Sequence, residues 1–122
     1  MDVYTFIWFI MGNPRINNSI RTQIEHNENI LSIASVWETA VKHSISKLNF
    51  NVSFAEFVEQ QIVITGIPLM PIAIKHILIV SQLPLHHRDS FDRMLIAKAI
   101  VESIPIVSAD TIFDTYLIQR LW

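Results

Sequence analysis

Residues 29–46 read Asn-Ile-Leu-Ser-Ile-Ala-Ser-Val-Trp-Glu-Thr-Ala-Val-Lys-His-Ser-Ile-Ser, and this stretch decides the fold class. Its first seven residues (29–35) are short, apolar and β-branched, the composition of a strand buried on both faces. They run without a breaker into a helical segment over 36–46, in which Val36, Trp37, Ala40 and Val41 recur at helical spacing. A strand followed at once by a helix is the unit whose repetition builds an α/β fold.

The alternation continues outward in both directions. Upstream, a first helix opens near Thr5 and is closed by Gly12-Asn13-Pro14, and a polar helix follows over about 19–27. Downstream, a helix over 53–63 precedes Gly66, and residues 67–72 carry two prolines and read as an edge strand. A helix over 73–82 has an unusually apolar middle. Residues 89–102 put Phe91, Leu95, Ile96, Ala99 and Ile100 on one helical face, ahead of a buried-type strand over 104–108 and a last short strand over 117–122. The expected fold is a single α/β domain spanning 1–122, with three layers (α/β/α) and a central, mainly parallel sheet of four to five strands joined by right-handed crossovers.

Bulk properties support one core and exclude several functions. A chain of 122 residues buries roughly two-thirds of the surface its unfolded form exposes. Apolar residues make up 51% and charged ones 16%, which excludes disorder and leaves apolar surface for a subunit contact. The absence of cysteine removes disulfides, thiolate zinc sites and thiol nucleophiles, and fits a reducing compartment, with the cytoplasm expected. The first apolar run, residues 6–11, follows Asp2 rather than a basic segment and is too short to span a membrane, so a soluble protein is expected. The net charge of −2 argues at first against a nucleic-acid partner. Setting Asp2, Glu38, Asp92 and Asp110 aside as a metal pocket leaves seven acids against nine bases, a balance that permits such a substrate.

Those four acids matter because ligands of open parallel sheets bind beyond the carboxyl ends of the strands. Asp2 ends whatever first strand exists, Glu38 lies in the first turn after 29–35, Asp92 opens a helix, and Asp110 follows 104–109. Carboxylates gathered on one rim repel one another unless a cation joins them, and their hard oxygens favour Mg²⁺ or Mn²⁺. Each also has a local explanation. Ser35-Val36-Trp37-Glu38 matches a capping box, Asp89-Ser90-Phe91-Asp92 an N-cap followed by a dipole-stabilising acid, and Asp110 an Asx-turn.

Together, Asp2-Val3-Tyr4-Thr5-Phe6-Ile7-Trp8-Phe9, Ser35-Val36-Trp37-Glu38, Asp89-Ser90-Phe91-Asp92-Arg93-Met94-Leu95-Ile96-Ala97 and Val107-Ser108-Ala109-Asp110 resemble the successive motifs of the PIN-domain family, in its VapC-like toxin branch. The resemblance implies a metal-dependent endoribonuclease, the toxin half of a VapBC-type toxin-antitoxin pair. Asp2, Glu38, Asp92 and Asp110 would be its catalytic, metal-binding acids, with Asp114 and Asp89 as auxiliary ones. It further implies Mg²⁺ or Mn²⁺ as cofactor, RNA as substrate, a cognate antitoxin as partner, a homodimer, and no membrane. In such a site one metal activates water and a second stabilises the leaving 3′ oxygen of an in-line displacement. Arg88, Arg93, Lys42 and Lys47 are candidates for phosphate contacts.

Two departures from the family pattern shape the expectation. Only Met1 precedes Asp2, so the first strand is expected to be truncated and Asp2 poorly supported. Val3 stands where the family commonly has a small hydroxyl or amide residue, and valine forms no side-chain hydrogen bond. These departures motivate the alternative of a catalytically weak PIN scaffold that binds an antitoxin-like protein or RNA without cutting it. Minor readings are a His86-His87-Asp89 zinc site, disfavoured because adjacent loop residues rarely reach one ion, and a receiver-like phosphoacceptor domain, disfavoured because no lysine follows the strand over 104–108.

Overall fold

A computed structural model of the protein describes residues 5–6, 14–26 and 30–122. Asp2, Val3 and the expected first strand, together with Gly12 and Asn13, lie outside the described residues. Thr5 and Phe6 are helical and buried, as the expected first helix requires.

The chain then forms α1 (Asn18–His26), β1 (Leu31–Ser32), α2 (Ile33–Ser44), α3 (Phe54–Val58), β2 (Leu69–Met70), α4 (Ile74–Val80), α5 (Ser90–Glu102), β3 (Ile106–Val107) and β4 (Arg120–Leu121). A π-helical turn (Glu59–Val63) continues α3, and a 3₁₀ turn (Thr111–Thr115) precedes β4. Gly66, at φ 72°, ends the α3 segment in the left-handed conformation that costs glycine least, its N–H donating to Ile62 O over 3.1 Å.

The order of elements follows the alternation, but the strands are shorter and the sheet is divided. Among the described residues β1 pairs in parallel with β2, and β3 in parallel with β4, as two separate pairs rather than one sheet of four or five strands. Prolines set the limits of β2: Pro68 lends its carbonyl to Leu31 N–H at 2.9 Å, and Pro71 has no N–H to extend the ladder.

The expected strand over 29–35 is the largest correction. Extended structure stops at Ser32, because Ser32 is the N-cap of α2 and its Oγ accepts the Ala34 N–H at 3.0 Å. Helix therefore starts three residues before the predicted point. Ser35 lies inside it, buried, with its carbonyl accepting the Thr39 hydroxyl at 2.8 Å. The capping-box reading of Ser35 and Glu38 is accordingly overturned.

Helix α5 holds the two strand pairs together. Its Leu95, Ile96 and Ala99 pack with Ile106, Phe113 and Tyr116 in the largest buried cluster, where a fully buried phenylalanine contributes about 2–3 kcal/mol. On the other side Lys98 reaches Ser32 and the Met70 carbonyl. Phe6, Leu31 and Ile62 form a second cluster, and Ile16, Ile20 and Ile24 of the α1 region pack on Val107.

Candidate functional site

Helices α2 and α5 carry two of the four acids and lie against each other. Trp37 of α2 and Phe91 of α5 meet edge-to-face with ring centroids 4.8 Å apart, a favourable geometry for aromatic quadrupoles. Each aromatic immediately precedes an acid, so the contact brings the turns bearing Glu38 and Asp92 side by side.

Glu38 is 4% exposed. Its Oε2 lies 3.3 Å from Lys42 Nζ one turn along the same helix, and its Oε1 is buried from solvent. A carboxylate in such surroundings is costly to keep charged without a cation nearby, which Lys42 supplies. Lys42, a candidate phosphate contact, is thus engaged with an acid.

Asp92 is more accessible. It stands in the first turn of α5, whose N-cap is Asp89: Asp89 Oδ1 accepts the Asp92 N–H at 2.9 Å. Asp92 Oδ2 lies 3.4 Å from His87 Nε2, and His87 Nδ1 lies 2.8 Å from the Tyr116 hydroxyl. That hydroxyl also accepts from Arg93 Nη1 at 3.4 Å. The tautomer of His87 that accepts the Tyr116 proton at Nδ1 is the one that directs an Nε2 N–H at Asp92. Sequence spacing hints at His87, five residues before Asp92. No spacing rule points to Tyr116, which joins through the fold.

Arg93 donates to the carbonyls of Pro84 (2.9 Å), Val80 (3.2 Å) and Leu83 (3.3 Å). Its guanidinium ties the loop after α4 to α5, which corrects its reading as a phosphate contact. Arg88 and Lys47 are exposed and keep that candidacy.

Asp110 and Asp114 stand beyond β3. Asp110 Oδ1 accepts the Ile112 N–H at 3.0 Å and caps the 3₁₀ turn, the Asx-type arrangement the sequence allowed. Asp114 is held in a fork by Arg120, Nε to Oδ1 at 2.9 Å and Nη2 to Oδ2 at 3.0 Å. These hydrogen bonds keep its carboxyl below the ordinary range. The Asp114 hydrogen bond in turn raises the pKa of Arg120, with a smaller contribution from the charge of Asp110.

Among the described residues no three His, Asp or Glu side chains gather closely enough to hold one metal ion. Glu38, Asp92 and Asp114 instead face Lys42, His87 and Arg120 respectively. Asp2, the fourth expected ligand, lies outside the described residues. As a donor set, carboxylate oxygens suit Mg²⁺ or Mn²⁺, and the fold brings the turns of Glu38 and Asp92 together. His86 and His87 both sit against the Tyr116 ring, and no zinc cluster forms among the described residues.

No helix among the described residues is long and apolar enough to cross a membrane. No curated protein and no solved structure matches the chain. A family model described as PIN domain matches residues 2–116, nearly the whole sequence and all four motifs bearing the acids. PIN domains are in general metal-dependent nucleases, and this chain belongs to the PIN-domain family.

Proposed function

We propose that the protein is a Mg²⁺- or Mn²⁺-dependent endoribonuclease of the VapC type, the toxin of a toxin-antitoxin pair, which hydrolyses RNA phosphodiester bonds. The observation that carries this reading is the Trp37–Phe91 contact, which sets the turns of Glu38 and Asp92 side by side. Asp2, Glu38, Asp92 and Asp110 would hold the cation. When bound, it supplies Lewis acidity that makes water a competent nucleophile at neutral pH and offsets charge on the leaving oxygen.

The chain's own residues prepare that site. Lys42 balances the buried Glu38 carboxylate, and His87 with Tyr116 orients Asp92. Asp89 fixes the first turn of α5, and Arg120 holds Asp114. In this reading Asp89 and Asp114 are positioning residues. The exposed Ile74, Ile77 and Leu78 of α4 suit a homodimer contact, and a cognate antitoxin is the expected cytoplasmic partner.

A second reading, a PIN scaffold that binds an antitoxin-like protein or RNA without cutting, is favoured by one observation: among the described residues Glu38, Asp92 and Asp114 each face a different side chain, Lys42, His87 and Arg120, instead of forming a cluster. Cleavage of a mixed RNA pool by the purified chain, with Mg²⁺ or Mn²⁺ and with a chelator, separates the two. The nuclease reading expects metal-dependent cutting that falls at least about a hundredfold in a folded Asp92→Asn variant. Equal cutting by Asp92→Asn would remove Asp92 from the site that cuts, and no cutting by the folded parent would move the assignment to the scaffold.

A further inference from the structure

A cleft of about 360 Å³ opens between the loop after α2 and the end of α3, within the range of small-ligand sites. Asn49, Phe50 and Asn51 line it from the loop, and Phe57, Gln60 and Gln61 from the helical side. Gln60 and Gln61 belong to the π-helical turn that continues α3, in which the Ile64 N–H donates to Glu59 O at 2.9 Å. Such turns are rare and are found frequently at functional sites.

The cleft has a firm floor. Phe50 stacks on Phe57 with ring centroids 4.0 Å apart and on His43 at 5.4 Å. The loop is tied to α2 at the Lys42 carbonyl, which accepts the Lys47 and Leu48 N–H groups at 2.8 and 3.3 Å. Stacking occupies ring faces and leaves ring edges for a ligand, and a positive ring edge suits the face of another aromatic ring.

Four carboxamides stand around that floor. Among the described residues none of the four side chains has a hydrogen-bond partner, although each carries an acceptor oxygen and an NH₂ donor in one plane. Lys47, Glu56 and Glu59 belong to the same stretch of sequence, yet none lines the cleft. A neutral lining gives no counter-charge to a phosphate or a carboxylate. It suits an uncharged, flat ring whose edge offers a donor beside an acceptor. Adenine offers N6 and N7 in that arrangement, the pair that Asn or Gln reads with two bonds. Guanine presents two acceptors there, which call for an arginine or lysine.

We propose that the cleft between the loop after α2 and the π-helical turn binds an adenine base, its N6–N7 edge on the carboxamides and its ring face against the Phe50 and Phe57 edges. The base belongs either to a free nucleoside or to a single-stranded RNA, where unstacked bases are read by their edges. Binding here needs neither metal nor cleavage, so it stands apart from the nuclease reading.

NMR titration of the folded full-length chain, in the presence of a chelator, tests the assignment with adenosine, guanosine and 7-deazaadenosine. Adenosine is expected to shift side-chain NH₂ signals among Asn49, Asn51, Gln60 and Gln61, together with the Phe50 ring. It should bind roughly tenfold tighter than guanosine, whose edge lacks the donor. It should bind about fivefold tighter than 7-deazaadenosine, which lacks the N7 acceptor and so one hydrogen bond. The comparison changes the ligand only and needs no variant to fold. Absent shifts, shifts confined to other residues, or equal affinity for 7-deazaadenosine or guanosine overturns the proposal. Oligoadenylate distinguishes the sources: tighter binding than adenosine assigns the base to RNA, and equal binding per base assigns it to a free nucleoside, the adenine site standing in both. The same shifts with equal affinity from oligouridylate overturn it.

Discussion

Ser35-Val36-Trp37-Glu38 and Asp89-Ser90-Phe91-Asp92 look alike: a polar residue, an aromatic two places on, and an acid directly after it. Folding treats them oppositely. In the second, the first residue is the helix cap and the acid stands in the first turn, half-buried and within reach of His87. In the first, the cap lies three residues upstream, Ser35 is inside α2, and the acid is buried beside Lys42. The aromatics meet all the same. A local motif fixes the spacing of an acid from an aromatic, whereas which residue upstream serves as the cap decides where the helix begins.

The strongest way to break the comparison is to neutralise each acid in turn. Glu38→Gln and Asp92→Asn, each close in shape to its parent, should both lower metal-dependent RNA cleavage by about a hundredfold or more. The double variant should fall little further, because members of one site act as a unit. Single-turnover rates on one RNA check this. Full multiplication of the two effects would show that the acids serve different processes.

Next in size is the anchor present only on the α5 side. Arg93 donates to four backbone carbonyls and to Tyr116, and truncation strands acceptors that are partly buried. Arg93→Ala should lower unfolding free energy by about 2–3 kcal/mol in urea titrations. Arg93→Lys should recover only part of the loss, since an ammonium cannot reproduce the planar fork.

These cases show what was legible in the sequence. Helix positions were, because capping serines and aspartates and apolar periodicity are local: Ser53 and Asp89 cap the helices expected after them. The acids could be chosen from order and spacing. Strand lengths were not legible, since residues 33–35 carry a strand's composition and yet lie in the helix that Ser32 caps, a serine that the fold also ties to Lys98, 66 residues away. Nor could spacing assign Arg93 to carbonyls or Tyr116 to His87. Lys98 left one signal unread, a charge on the apolar face of α5 between Ala97 and Ala99.

The caps give a smaller test. Asp89→Ala and Ser32→Ala should each cost about 1 kcal/mol. Amide exchange distinguishes them: Ser32→Ala should speed exchange at Ala34, and Asp89→Ala at Asp92, the two amides those side chains accept. Unchanged exchange at Ala34 in Ser32→Ala would return the α2 cap to Ser35.

The smallest effect belongs to Asp114, where an acid has a guanidinium fork and solvent exposure. Arg120 holds its carboxyl below the ordinary value, which is about 3.9 for an unfolded aspartate. The folded group therefore binds its proton less readily than the unfolded one. The pair stabilises the protein above about pH 4, and that contribution is lost as pH falls through the lower folded value. The difference in Tm between the parent and Asp114→Asn should be present at pH 6 and vanish in strong acid. Salt should narrow it at pH 6, because exposed pairs are screened. A difference that persists unchanged in strong acid would trace it to packing around Asp114 and not to the Arg120 pair.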